Sequence, residues 1–159
     1  MKQKYLAKWL KLITIVVGVI GILIYFAAIP ILGGDTFNVF PELDFVFWPW
    51  IILIWLTSIP FYIALVLFYM ICNEIEKDNS FSEKNARLLK YVSLLAICDT
   101  VFFFTGNVVY TLLGINRLMI ILLSLFVVFV GIVIGVLTAS LSHLVLNASE
   151  LKKENELTI

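Results

Sequence analysis

Uncharged runs alternate with short charged segments along the whole chain. Residues 12–32, 45–72 and 118–146 contain no Asp, Glu, Lys or Arg, and residues 91–113 contain one acid, Asp99. A bilayer core about 30 Å thick is crossed by roughly 20 apolar residues in a helix, so each run is long enough to span. The pattern predicts an all-α polytopic membrane protein: one domain over residues 1–159, a four-transmembrane-helix antiparallel bundle with a polar loop at 73–90. The segment Gly114-Ile115-Asn116-Arg117 is too short for anything but a hairpin between the third and fourth spans.

Composition adds weight to that reading. The chain is 62% hydrophobic and 14% charged, with a mean hydropathy of +1.08, whereas soluble domains carry about 25% charged residues. What remains outside the spans is too short for a separate soluble domain. A zero net charge gives no electrostatic footprint for nucleic acid. The basic N-terminus followed by an apolar run has the look of a secretory signal. The run to Leu32, however, exceeds the roughly 7–15 apolar residues of such signals and no cleavage site follows, so a retained first span is expected.

Cationic residues predict the orientation. Lys2, Lys4, Lys8 and Lys11 precede the first span, Lys77, Lys84, Arg87 and Lys90 lie between the second and third, and Lys152 and Lys153 follow the fourth. All the cationic residues except Arg117 therefore fall on one side if both termini are cytoplasmic, and positive residues stay inside. The expected topology is N-in/C-in. The outer side differs in character. Asp35, Glu42 and Asp44 make its first loop acidic, and Gly33-Gly34 with Pro41 are expected to break any helix there. Phe45, Phe47, Trp48 and Trp50 read as an aromatic belt at headgroup level, with Pro49 at the start of the second span. Tyr5 and Trp9 are placed as anchors on the opposite face.

Polar positions inside the spans are few. Asp99 sits about nine residues past Lys90, roughly 13 Å into the bilayer at 1.5 Å per residue. An ionised carboxylate there costs about 2.5–3.5 kcal/mol on insertion scales, so Asp99 is expected to face the bundle and be hydrogen-bonded, or else to be protonated, sharing a helix face with Ala96, Phe103 and Gly106. Counting depth along antiparallel helices places Asp99 level with Gly135 and Thr138, and Asn107 level with Thr57 and Ser58. Gly131, Gly135 and Ala139 recur at four-residue spacing, with His143 one turn on. Such a stripe permits close helix packing, within the chain or between copies in a homo-oligomer. Gly18 and Gly21 give the first span a similar patch. Pro60 is expected to kink the second span.

No catalytic constellation, cofactor-binding motif or metal site accompanies these positions. His143 has no companion ligands, Cys72 and Cys98 are too few and too apolar in setting for a framework, and no Ser or Cys has an evident base. The chain reads as no enzyme. Under the expected topology the sequon Asn147-Ala148-Ser149 lies on the cytoplasmic side.

One segment has local design. Between residues 73 and 90, Ser80 with Glu83 forms a capping box, and Ser82 is a competing cap. Phe81 is expected to tuck its ring against the helix ends, or else to form part of a docking site for a cytoplasmic protein together with Ser82, Asn85 and Arg87. A polar turn, Phe81-Ser82, then Glu83-Lys84-Asn85-Ala86-Arg87 and Leu88-Leu89, set between the second and third of four spans, resembles the bacterial membrane family catalogued as domain of unknown function 2975. That family often has Gly-x-Pro-Phe-Ser at this turn; here Asp78-Asn79-Ser80 stand where the Gly and Pro would be. The resemblance implies a small plasma-membrane protein of bacteria, commonly encoded beside a small helix-turn-helix regulator, and supplies no catalytic residues.

Three function classes follow. The first is a non-enzymatic module that senses envelope state or tethers a cytoplasmic regulator through the 73–90 loop. The second is self-protection against membrane-active peptides. The third is an oligomeric transporter or channel around Asp99. Beyond the lipid bilayer, the expected partners are a second copy or a cytoplasmic regulatory protein, with no nucleic acid bound directly and no cofactor.

Overall fold

The computed structural model describes the main chain of residues 2–39, 44–116 and 118–157, and the side chains of 3–34, 45–116 and 118–155. The regular elements of these residues are all helical: α1 (Lys2–Leu23), a π-helical turn (Ile24–Ala28), α2 (Ile29–Val39), α3 (Asp44–Glu76), α4 (Glu83–Leu112) and α5 (Leu118–Leu157). Leu23 and Ile29 keep right-handed helical angles on either side of the π turn, so α1, the turn and α2 make one rod. Four rods result, each long and apolar enough to cross a membrane.

Their surfaces are arranged for a hydrocarbon solvent. Ile13, Ile20, Leu123, Phe126 and Leu137 are exposed, while the largest fully buried side chains are Asn85 and Cys72. In water such apolar faces would be a large exposed patch; in lipid they cost nothing. Helix contacts then rest on close packing and on hydrogen bonds rather than on a hydrophobic driving force.

The helices run past the uncharged stretches, and two sequence expectations fail in consequence. Gly33 and Gly34 lie inside α2 and do not break it. A glycine costs a helix only about 1 kcal/mol, and a ring of α3 occupies the space that Gly33 leaves: a Cβ there would lie 2.9 Å from Phe47 Cε2. Pro49 is not at a helix start either, because α3 begins at Asp44 and contains both Pro49 and Pro60. Near Pro60 the hydroxyls of Thr57 and Ser58 donate within α3 to the carbonyls of Ile54 (2.7 Å) and Trp55 (2.6 Å). Pro41, Glu42 and Arg117, and the side chains of Asp35 and Asp44, lie outside the described residues.

Packing follows chain order. The α1 rod lies on α3, α3 on α4 and α4 on α5, and among the described residues α1 does not approach α5. The α4–α5 pair is the tightest. On α5 the buried and half-buried residues Ser124, Val128, Gly131, Gly135, Thr138, Ser142, Val145 and Ser149 alternate spacings of four and three, the heptad seam of left-handed helix pairs. Every side chain in it is small. Gly131 leaves room for Thr100 and Gly135 for Ile97. Ser93 Oγ donates to the Gly135 carbonyl at 2.8 Å and Ser142 Oγ to that of Ala86 at 2.7 Å.

All chain ends of these rods other than the α4–α5 hairpin and the α2–α3 connection meet at one end of the bundle, which carries the lysines. At this basic end Ile71, Ala86, Leu88, Leu89 and Val145 form the buried apolar cluster.

Candidate functional site

Two features stand out from the packing: a rigid turn at the basic end and a cleft nearer the hairpin end.

The turn is built around Asn85. Ser82, with extended angles (φ −138°, ψ 151°), caps α4 by accepting from the Asn85 backbone N–H at 3.2 Å. Ser82 is thus the cap in place of Ser80, because α4 begins at Glu83. The Asn85 side chain is 1% exposed, and its Nδ2 donates to the carbonyls of Asn79 (3.1 Å) and Ser80 (2.9 Å). The chain can reverse so sharply because Asp78 takes a left-handed conformation, φ 59°, which Asp tolerates better than most residues.

Beneath the turn, Glu74 lies beyond the uncharged stretch that ends at Cys72. Its carboxylate accepts from Lys84 Nζ (2.7 Å) and from Asn79 Nδ2 (3.0 Å). The Lys84 hydrogen bond, reinforced by that of Asn79, holds the Glu74 pKa at about 2. Ion pairs clamp the rods on either side, Lys11 with Glu76 between α1 and α3 and Lys153 with Glu83 between α5 and α4. Arg87 reaches Glu83 only loosely, at 3.9 Å. The Phe81 ring does not tuck in. It is 57% exposed, because Asn85 already fills the inside of the turn.

The cleft arises because α1 and α5 stay apart while α3 and α4 join between them. It encloses about 680 Å³. One wall is α1 and the π turn (Val17, Ile20, Gly21, Tyr25), the other is α5 (Leu123, Val127, Gly131), and Thr57, Asp99 and Thr100 lie between. The π turn shapes the first wall. Ile29 N–H bonds to Ile24 O, five residues back, and the Tyr25 carbonyl accepts from Trp55 Nε1 at 3.0 Å. Such single π turns inside α-helices are frequent at functional sites. Farther down, Tyr62 OH donates to the Gly18 carbonyl at 3.1 Å, tying α1 to α3. Two polar atoms at the cleft are buried without a hydrogen-bond partner, Asp99 Oδ1 and Trp50 Nε1.

The other polar positions distribute as follows. Asp99 lies nearer the level of Gly131, which packs on its neighbour Thr100, than that of Gly135 and Thr138. Depth counting from the loop was one turn out, because Ser93 and Ile97 are what meet Gly135. Asn107 does not bond Thr57 or Ser58. Its Nδ2 donates to the Phe103 carbonyl (2.8 Å), and its own carbonyl accepts from Asn116 Nδ2 (3.1 Å). Asn107 and Asn116 line a smaller pocket with Ser124 and Val128. Gly131 and Gly135 spend their small face on α4, within the chain. His143, two four-residue steps beyond Gly135, is exposed, since the seam follows a 3.5-residue period and passes through Ser142 instead. Among the described residues no three His, Cys, Asp or Glu side chains converge as a metal site would require.

Sequence reasoning missed two cleft residues. Trp50 reads as a belt residue from position alone, and the inward face of Tyr25 depends on a π turn that no residue pattern announces. Sequence reasoning also reads the seam of α5 as a strict four-residue stripe, although Ser124, Gly131 and Thr138 mark the heptad spacing in the sequence.

The model of the family described as protein of unknown function, DUF2975, matches residues 31–159. The chain belongs to the DUF2975 family. A relative from Bacillus subtilis (strain 168), the uncharacterized membrane protein YoaS, is 28% identical over 153 residues, covering 95% of this chain and 96% of the relative. No solved structure matches. With four spanning helices and these relatives, the chain is a membrane protein, and the DUF2975 match takes in α3, α4, α5 and most of α2 while leaving α1 out.

Proposed function

We propose that this DUF2975 protein is a non-enzymatic module of the bacterial plasma membrane, with both termini in the cytoplasm, that tethers a cytoplasmic regulatory protein through the 73–90 loop. One observation carries the reading: Phe81 is held outward, 57% exposed, on a turn pinned by hydrogen bonds on both sides of it. Asn85, Ser82 and Glu74 fix the backbone on both sides of it, so its ring is an apolar anchor presented at no further ordering cost. Aromatic anchors on rigid supports dominate binding at protein interfaces. Lys152 and Lys153 of α5 line the same shallow depression as Phe81, Ser82 and Glu83, which gives the anchor a polar, partly basic rim.

The packing supports this reading over transport. Below Asp99 the bundle is filled by Ser93, Val92, Leu89 and Ile71, all buried, so a route through one copy towards the basic end is closed.

A photocrosslinking residue placed at Phe81 in living cells tests the proposal. A specific soluble regulatory protein, captured from Phe81 and lost when the probe is moved to lipid-facing Leu94, is the expected result. Capture of lipid or of the same chain alone would reduce Phe81 to a surface ring and overturn the tethering.

A further inference from the structure

We propose that the cleft between α1 and α5 is a binding site for a lipophilic amine drawn from the bilayer, its apolar body lying between the two walls and its protonated nitrogen on Asp99. This goes beyond the tethering reading and stands apart from it, since no residue of the 73–90 loop takes part.

The size suits a small amphiphile. Ligand sites commonly enclose about 300–1,000 Å³ and are mostly apolar with a few placed polar groups. Here a volume of about 680 Å³ is walled by Val17, Ile20, Leu123 and Val127, with Asp99 between them. The gap between α1 and α5 opens the site sideways, so a molecule dissolved in the hydrocarbon enters without crossing water.

Charge assigns the class. Among the described residues Asp99 is the one carboxylate that lines the cleft, and no Lys, Arg or His does so. Its Oδ1 is buried with no donor in reach. A charge in the hydrocarbon region is costly until it is paired, and a cationic amine supplies both the countercharge and the missing N–H. The second unpartnered atom, Trp50 Nε1, is a donor, and so takes an ether, carbonyl or hydroxyl oxygen on the same ligand. The O–H groups of Thr57, Thr100 and Ser124, which also line the cleft, donate to the carbonyls of Ile54, Ala96 and Ile120, each at 2.7 Å, rather than to Asp99. The site therefore lacks a cation near an oxygen acceptor, on an apolar frame.

The test uses the full chain in nanodiscs of zwitterionic lipid and a photoreactive diazirine-bearing dodecylamine, with the matching diazirine dodecanol as the neutral control. Saturable labelling by the amine is expected, competed by plain dodecylamine and mapped to α1 and α5 residues of the cleft walls. The alcohol should label the same positions at least about tenfold more weakly, and Asp99→Asn should weaken amine labelling by at least about tenfold, as loss of one partner of a buried charged pair does. Ile20→Trp, which fills the cleft and leaves the carboxylate in place, should also remove saturable labelling, and serves if the Asn variant does not fold. Equal labelling by alcohol and amine would overturn the proposal, as would amine labelling spread evenly over the lipid-facing positions or unchanged in a folded Asp99→Asn protein.

Discussion

Single residues carry more of this fold than apolar area does. Asn85 holds the turn through two carbonyls, and its truncation to Ala leaves both without that donor. An unsatisfied buried group costs about 1–3 kcal/mol, so Asn85→Ala should destabilise the protein by about that much, measured by unfolding in micelles. Glu74 adds a pH dependence. Its pKa is held at about 2, below the ordinary 4.5, so its stabilisation is fully present above pH 4.5 and is lost as pH falls towards 2. The melting temperature should drop across that window, and Glu74→Gln should flatten the drop in part. Glu83, lowered by its bond to Lys153, keeps a remainder. The importance of Ser82 and Asn85 was legible in the sequence as a capped polar turn. That Ser82 outcompetes Ser80, and that Phe81 stays out, was not legible, because both follow from which side chain fills the turn.

At the level of helices, lengths and number were readable because the bilayer sets them: uncharged runs of about 20 residues admit few alternatives. Register was harder. A strict four-residue stripe and a 4–3 seam agree at Gly131 and Gly135 and part company by His143, so the sequence located the close approach but not its continuation. The depth of Asp99 was misjudged for a related reason, since the helices overrun the uncharged stretches and shift every count that starts from a loop. Gly135→Leu places a branched side chain where Ile97 already sits. Overpacking of this kind costs about 1–3 kcal/mol, and the variant should lower stability by that amount, whereas Ser93→Ala, which removes one interhelical hydrogen bond, should cost only about 0.6 kcal/mol. Thermal unfolding of the two variants side by side checks the order.

For the whole molecule, the basic end is closed by ion pairs and a buried cluster while the opposite half is splayed around a cavity. Bundle architecture was predictable from the alternation of runs and loops. The open side was not, because it reflects the absence of a contact between α1 and α5, and lipid-facing and cleft-facing apolar residues look alike in sequence. Among the described residues the first rod touches the others only through α3, and two of its ties are made to main-chain carbonyls, those of Gly18 and Tyr25. Carbonyls are indifferent to the side chains around them. The rod that forms one wall can therefore drift in sequence while its attachment persists, and the family model, which begins at residue 31, is silent over that very stretch. Two relatives sharing the same three-helix body could thus differ in this one wall and so admit different guests, with selectivity evolving in the first helix alone.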